Sequence, residues 1–437
     1  MISSDALYRL AAVLVVGVVS PTCLAQLGSL TPPPGTITET MKPLDVVEAR
    51  TPVGPDTTPG DTQNVFIIDK PGSYYLVADV VGETGKNGIS ITVDDVTLDL
   101  NGFTVRASPF ITPVTVRDAR DNEPAPAPRG GATGTGIFME NFRRNVNIMN
   151  GAVTGWSEDG IRFLSDGGRL HNIHAYANGC WGVDADGDYV NTITDCRFQN
   201  NGVASIPRAD QRGTPVSAGG LRAGFGAVIA RCTSIFDTTG FVLGDGAMIT
   251  DSTVSQFFVT GIRVEGQGVR ISDCALTLTF GAGDPLSFIH IQSSATRTHI
   301  TACTIQDGNN SSNAVGIRIE GTYAVIEDSS IYSQGTSIDV DAEYAVVKRN
   351  TIQGTKSSAI DAGNADAFGL TIDSNEIGPA SGLQARVVLV DSLAVVVTRN
   401  LFRGNFPFVT STTGNRVAET FSASDPAATS PFANFRN

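Results

Sequence analysis

Read for its apolar positions, the chain repeats one phrase: glycine, a branched aliphatic residue, any residue, then a second apolar residue. Gly88-Ile89-Ser90-Ile91, Gly136-Ile137-Phe138-Met139, Gly160-Ile161-Arg162-Phe163, Gly182-Val183-Asp184-Ala185 and Gly220-Leu221-Arg222-Ala223 set it out. Gly240-Phe241-Val242-Leu243, Gly261-Ile262-Arg263-Val264, Phe288-Ile289-His290-Ile291, Gly316-Ile317-Arg318-Ile319, Ile338-Asp339-Val340, Ile360-Asp361-Ala362 and Val388-Leu389-Val390 continue it. The alternation has a period of two, that of a strand with one face buried. Most steps lie near 22 residues, which is room for three short strands and three turns but not for a helix–strand pair with ordinary loops. The pattern predicts an all-β stack of about twelve coils, in which each coil needs only its neighbours to bury its apolar side.

A second landmark follows each of these strands by about twelve residues: Asn101, Gly151, Ile173, Cys196, Cys232, Ser252, Cys274, Cys303, Ser329, Asn350, Asn375 and Asn400. Four of the six cysteines fall in this column. Like positions on stacked coils lie about 4.8 Å apart, so thiols, hydroxyls and amides can form an internal ladder at one turn. We read these cysteines as buried packing thiols rather than disulfides, because that spacing brings sulfurs near without supplying bond geometry. With this ladder the chain resembles the pectate-lyase-like superfamily of right-handed parallel β-helices over residues 65–410. The resemblance implies that Gly-Ile-x-Ile is the first of three strands per coil and that the ladder fills the turn between the second and third. The segments Leu44-Asp45-Val46-Val47, Pro71-Gly72-Ser73-Tyr74-Tyr75-Leu76, Val96-Thr97-Leu98-Asp99-Leu100-Asn101-Gly102-Phe103 and Gly414-Asn415-Arg416-Val417 also look like a group of exported bacterial β-helix repeat proteins of unassigned activity.

Composition agrees with short strands and tight turns: 47 glycines, only 17% charged residues, and many Val, Ile and Thr. The formal net charge of −14 repels phosphate backbones and anionic lipid, which disfavours a nucleic-acid or membrane-surface role. An apolar run at residues 10–19, with small residues at Cys23-Leu24-Ala25, predicts a cleavable signal peptide over 1–25 and therefore a secreted or periplasmic protein. Residues 26–64 read as an extended leader with a short capping turn of helix near 43–50, and 411–437 as a segment whose Phe421, Phe432 and Phe435 cap the last coil. A monomer is expected.

Candidate chemistry lies on the outward positions of the first strands. At coils three to five these bring Arg162, Asp184, Asp186 and Arg222 together, with Asp188 at the following turn. Trp156 and Trp181 precede two of those strands, where an indole can either stack on a sugar or pack beneath a turn. Long insertions at 108–135 and 201–219 bracket the patch, and Arg263 and His290 continue the outward column as further substrate-binding candidates. Asp184 and Asp186 stand about 6.6 Å apart along a strand, which suits an inverting carboxylate pair or, with Asp188, a calcium ion shared with substrate carboxylates. In a lyase Arg162 or Arg222 takes the proton; in a hydrolase one Asp is the acid and the other activates water. The plainer alternative is an Arg–Asp surface ladder of little energetic weight. The Arg-x-Pro-x-x-Arg stretch of pectate lyases and the paired-Asp and Ser-His-Gly motifs of polygalacturonases are absent. The reading is therefore binding of a carbohydrate, an acidic polysaccharide or cell-surface glycan, with lyase or glycosidase activity in the same groove as the alternative. A histidine metal site is not expected, since the histidines lack ligand spacing.

Overall fold

A computed structural model describes residues 50–437 except 109–133, 188–189, 203–217, 280–286, 309–313, 334, 355–357, 364–366, 380–386, 390–393, 404–408, 412–415, 418–419, 423–432 and 437. The expected signal peptide, the capping turn up to residue 49, most of both insertions, Asp188 and Phe432 lie outside the described residues.

The repeating phrase becomes a sheet of 14 parallel strands, and the second and third strands of the coils together make a sheet of 28. This is a right-handed parallel β-helix with three strands per coil, and no helix occurs among the described residues. The inward column of the first strands, Ile137, Ile161, Val183, Leu221, Phe241, Ile262, Ile289, Ile317, Ile338 and Ile360, is completely buried. Each such side chain removes enough apolar surface to contribute roughly 1.5–3 kcal/mol. The glycine that opens the phrase also has a steric cause. A Cβ at Gly160 would lie 2.6 Å from the carbonyl oxygen of Gly182, and one at Gly182 would lie 2.7 Å from that of Gly220. Backbones of successive coils approach too closely there for any side chain.

The ladder is as expected for most of its length. Cys196, Cys232, Ser252, Cys274, Cys303, Ser329, Asn350, Asn375 and Asn400 are all buried, and the cysteines are free thiols. Asn350 donates from Nδ2 to Asn375 Oδ1 at 3.1 Å, Asn375 to Asn400 at 3.0 Å, and Asn400 to Asn434 at 3.2 Å, so the strand Asn434–Arg436 adds a rung. The exception is Asn101, which is exposed and left-handed (φ 52°) in a wider turn, while Leu100 fills the interior.

Three details of register differ from expectation. The first sheet gains Asn64–Ile68 before the glycine phrase begins and Val409–Ser411 after it ends. Near the end, Asp361 pairs with Val388 rather than Leu389, because the inward position is taken by Val387. The run from 387 to 390 is apolar throughout and so does not mark its own register. At the start, Thr51–Pro52 is a strand paired with Tyr74 and Tyr75.

Candidate functional site

The strands Ile161–Arg162, Trp181–Ala185 and Gly219–Ala223 lie side by side and stack Arg162, Asp184 and Arg222 in register on the outer face. Arg222 Nη2 sits 2.6 Å from Asp186 Oδ2, and the Asp186 N–H donates to Asp184 Oδ1 at 3.3 Å. Arg162 is exposed, its guanidinium carbon 5.9 Å from the centre of the Phe138 ring, with no carboxylate at ion-pair distance among the described residues. The structure therefore brings together the four residues expected here. Asp188 is outside the described residues.

Both tryptophans are packing residues, which corrects the stacking role considered for them. Trp156 is 0% exposed and Trp181 3%. The Trp156 indole N–H donates to Val105 O at 3.2 Å, and its ring fills space left by glycine: a Cβ on Gly82 would lie 2.6 Å from its Cη2. Buried indoles of this kind satisfy their one polar group and offer no face to a sugar.

A third carboxyl belongs to the site and was not singled out from the sequence. Asp159 immediately precedes Gly160, and its Oδ1 accepts the Trp181 backbone N–H at 3.0 Å. Burial pushes its carboxyl up to about 6 against that hydrogen bond, with the charges of Asp184 and Glu158 adding to the rise and Arg162 opposing it. Burial likewise raises Asp184, partly offset by Arg222. The Cys180 thiol beside them is pushed up to about 11 by burial and by the same carboxylates. A sequence signal for Asp159 existed. In the column just before the landmark glycine of the first eleven repeats (Asn87, Thr135, Asp159, Trp181, Gly219, Thr239, Thr260, Ser287, Val315, Thr336, Ser358) it is the one charged residue.

Arg263 and His290 share the outward column but not the patch. The buried Val242 separates Arg263 from Arg222. Arg263 Nη2 lies 2.8 Å from Glu265, and His290 Nε2 lies 3.1 Å from Glu320. Of the residues expected to hold calcium, Asp184 and Asp186 are described, with the Arg222 guanidinium 2.6 Å from Asp186 Oδ2, and Asp188 lies outside the described residues.

Two recesses among the described residues lie on the 28-stranded sheet. A recess of about 530 Å³ is lined by Asn147, Met149, Arg169, His171, Thr192 and Thr194, and one of about 400 Å³ by Asn150, Asn172, His174, Asp195 and Arg197. His171 Nδ1 is 3.1 Å from Thr194 Oγ1 and 3.3 Å from Asp195.

The class this geometry defines is the right-handed parallel β-helix. No known family matches the chain, and no curated protein matches it in sequence. Solved structures match in fold. A double mutant of the tailspike protein of E. coli bacteriophage HK620 superposes with a TM-score of 0.51 at 8% identity, covering 81% of this chain and 67% of that one. PfbA, a surface adhesin of Streptococcus pneumoniae, matches with TM-score 0.43 at 8% identity over 80% of this chain and 83% of its own. An alginate lyase from Paenibacillus sp. str. FPU-7 matches with TM-score 0.31 at 12% identity over 83% and 98%. At such identities the shared property is the fold.

Proposed function

We propose that this is an exported, monomeric β-helix that binds an acidic polysaccharide along its first-strand face at coils three to five. The observation that carries the reading is the contrast between Arg162 and the carboxyls beside it. An exposed guanidinium with no carboxylate partner among the described residues adjoins Asp159, which is raised to about 6, and Asp184, which is also raised. Arg162 suits the bidentate grip of a uronate carboxylate. A protonated Asp159 donates a hydrogen bond where an ionised one repels. The side-by-side strands present a row of outward positions along which a chain can lie, and the net charge of −14 disfavours nucleic acid.

A second reading, glycosidase activity in the same groove, draws on Asp159 alone: a carboxyl held near 6 is poised as a general acid, with Asp184 as its neighbour. The test is calorimetric titration of the protein with acidic glycans, with and without calcium, alongside assays for reducing ends and unsaturated products. Arg162→Ala should weaken binding at least tenfold, and the double variant Asp184→Asn/Asp186→Asn should abolish the calcium-dependent part of binding, both with the circular dichroism spectrum unchanged. Binding should also fade as pH rises through about 6, where Asp159 loses its proton. Undiminished affinity in both variants, or no binding across the panel, refutes the proposal. Product formation abolished by Asp159→Asn selects the second reading.

A further inference from the structure

Two outward columns cross the strands Asn147–Thr154 and Arg169–Tyr176 on the 28-stranded sheet. In register, one runs Thr97, Asn147, Arg169, Thr192 and the other Asp99, Met149, His171, Thr194. At the next coil both turn apolar, as Val228 and Ala230. Asp99 apart, these side chains line the recess of about 530 Å³, which is within the range of small-ligand sites, roughly 300–1,000 Å³. Arg169 is exposed between two uncharged neighbours, Asn147 and Thr192, with no carboxylate at ion-pair distance among the described residues. Arg231, Arg349 and Arg399, by contrast, each close on an Asp of the adjoining coil. The carboxylates at the rim are already answered. Asp195 accepts from Arg231 Nε and Nη2 at 2.7 Å each; Asp99 accepts from Asn150 Nδ2 at 3.2 Å and lies 3.3 Å from Arg50. In the adjoining turn Asp166 stands in register with Arg144. His171 is held in place, its Nδ1 lying 3.1 Å from Thr194 Oγ1 and 3.3 Å from Asp195 Oδ2. A carboxylate only accepts, so Nδ1 carries the proton, and Nε2 of the neutral ring is an acceptor with no partner among the described residues.

We propose that this recess binds a single sugar acid, a pyranose bearing one carboxylate, at a site separate from the first-strand patch and on a different sheet. The Arg169 guanidinium offers the planar fork that grips a carboxylate. His171 Nε2 accepts from a ring hydroxyl, and Asn147 and the threonine hydroxyls both donate and accept, as a polyol requires. Met149 adds an apolar wall for the C–H face of the ring. An inorganic oxyanion satisfies the guanidinium but leaves the hydroxyl row and the His171 acceptor unanswered. A neutral sugar satisfies the row and leaves the guanidinium unanswered. Arg162 and its neighbours play no part, so this site does not depend on the polysaccharide reading of the other face.

The full chain is titrated calorimetrically with glucuronate, galacturonate and mannuronate, with glucose, galactose and mannose, and with inorganic sulfate. At least one uronate should bind at least about tenfold more tightly than its neutral parent and than sulfate, the weight of one charge-assisted pair. Arg169→Gln should bring that uronate down to its parent's affinity, and His171→Phe should weaken uronate and parent together. Both residues are exposed, so the melting temperature should hold. In wild-type protein the His171 ring resonance, assigned by its loss in His171→Phe, should shift as the uronate is added, a readout that does not depend on a variant's fold. A resonance that stays still at saturation, sulfate or neutral hexoses binding as tightly as every uronate, or no uronate binding at all overturns the proposal. Acidic polymers are titrated in parallel. A uronate shift at His171 without polymer binding leaves this site standing alone; polymer binding lost in Arg162→Ala, with His171 unmoved by any uronate, leaves only the first-strand site.

Discussion

Asp237 sits completely buried at the end of a polar run that the sequence hides. Asn178 donates to Asn201 Oδ1 at 3.0 Å; the Asn201 backbone N–H and Nδ2 donate to Asp237 Oδ1 at 2.7 and 3.0 Å, and Ser234 Oγ to Asp237 Oδ2 at 2.7 Å. Even with these donors, burial pushes the carboxyl up to about 7. A carboxyl that holds its proton more tightly folded than unfolded favours the fold below its unfolded pKa, about 3.9, and that advantage is lost as pH rises through about 7. Asp237→Asn keeps the shape and extends the amide run. The variant should exceed wild type by roughly 1–3 kcal/mol above pH 7, the gap closing toward pH 4. Urea midpoints across that range check it. Asp159 shifts in the same direction, but the difference between the two proteins cancels it. If the midpoints run parallel, Asp237 is not neutral in the fold.

Among elements, the turn between the second and third strands explains why Cys, Ser and Asn interchange in one column. The residue before each rung is left-handed, as at Arg231 (53°), Asp273 (53°), Asp328 (52°) and Arg399 (56°). The rung then donates to the carbonyl two residues back: Cys274 Sγ to Ser272 at 3.2 Å, Ser252 Oγ to Thr250 at 2.8 Å, Asn400 Nδ2 to Thr398 at 2.9 Å. Cys274→Ser should therefore stay within about 1 kcal/mol of wild type, whereas Cys274→Val, equally bulky but without a donor, should lose about 1–3 kcal/mol. Equal denaturant midpoints for Val and wild type would mean that the thiol only fills space. The column was legible because its chemistry repeats at near-constant steps. The Asn178–Asn201–Asp237 run was not, since the 201–219 insertion breaks its spacing. Nor was the burial of Trp156, which depends on Gly82 and Gly136, neighbours only once the coils stack. The cluster of Arg162, Asp184, Asp186 and Arg222 was legible from strand alternation alone, but Asp159 gains meaning only when its column is aligned and its burial known.

For the whole molecule, coils that touch only their neighbours make stability a sum of local terms. Ile161→Ala, at a fully buried position, should cost about 2–5 kcal/mol. Hydrogen exchange should accelerate in the coils on either side of Ile161 and leave the strand Val396–Thr398 protected. Uniform acceleration along the rod would show that it opens as one body. The ladder carries one more consequence. Cys196 and Cys232 are on adjacent coils, as are Cys274 and Cys303, and the Ser252 rung parts the two couples. In an oxidising medium a chain not yet stacked can join any two of these sulfurs, and a Cys232–Cys274 bridge ties together coils that Ser252 must come between. Folding of this rod is then a race between coil closure and oxidation, and a closed core is what keeps the thiols reduced.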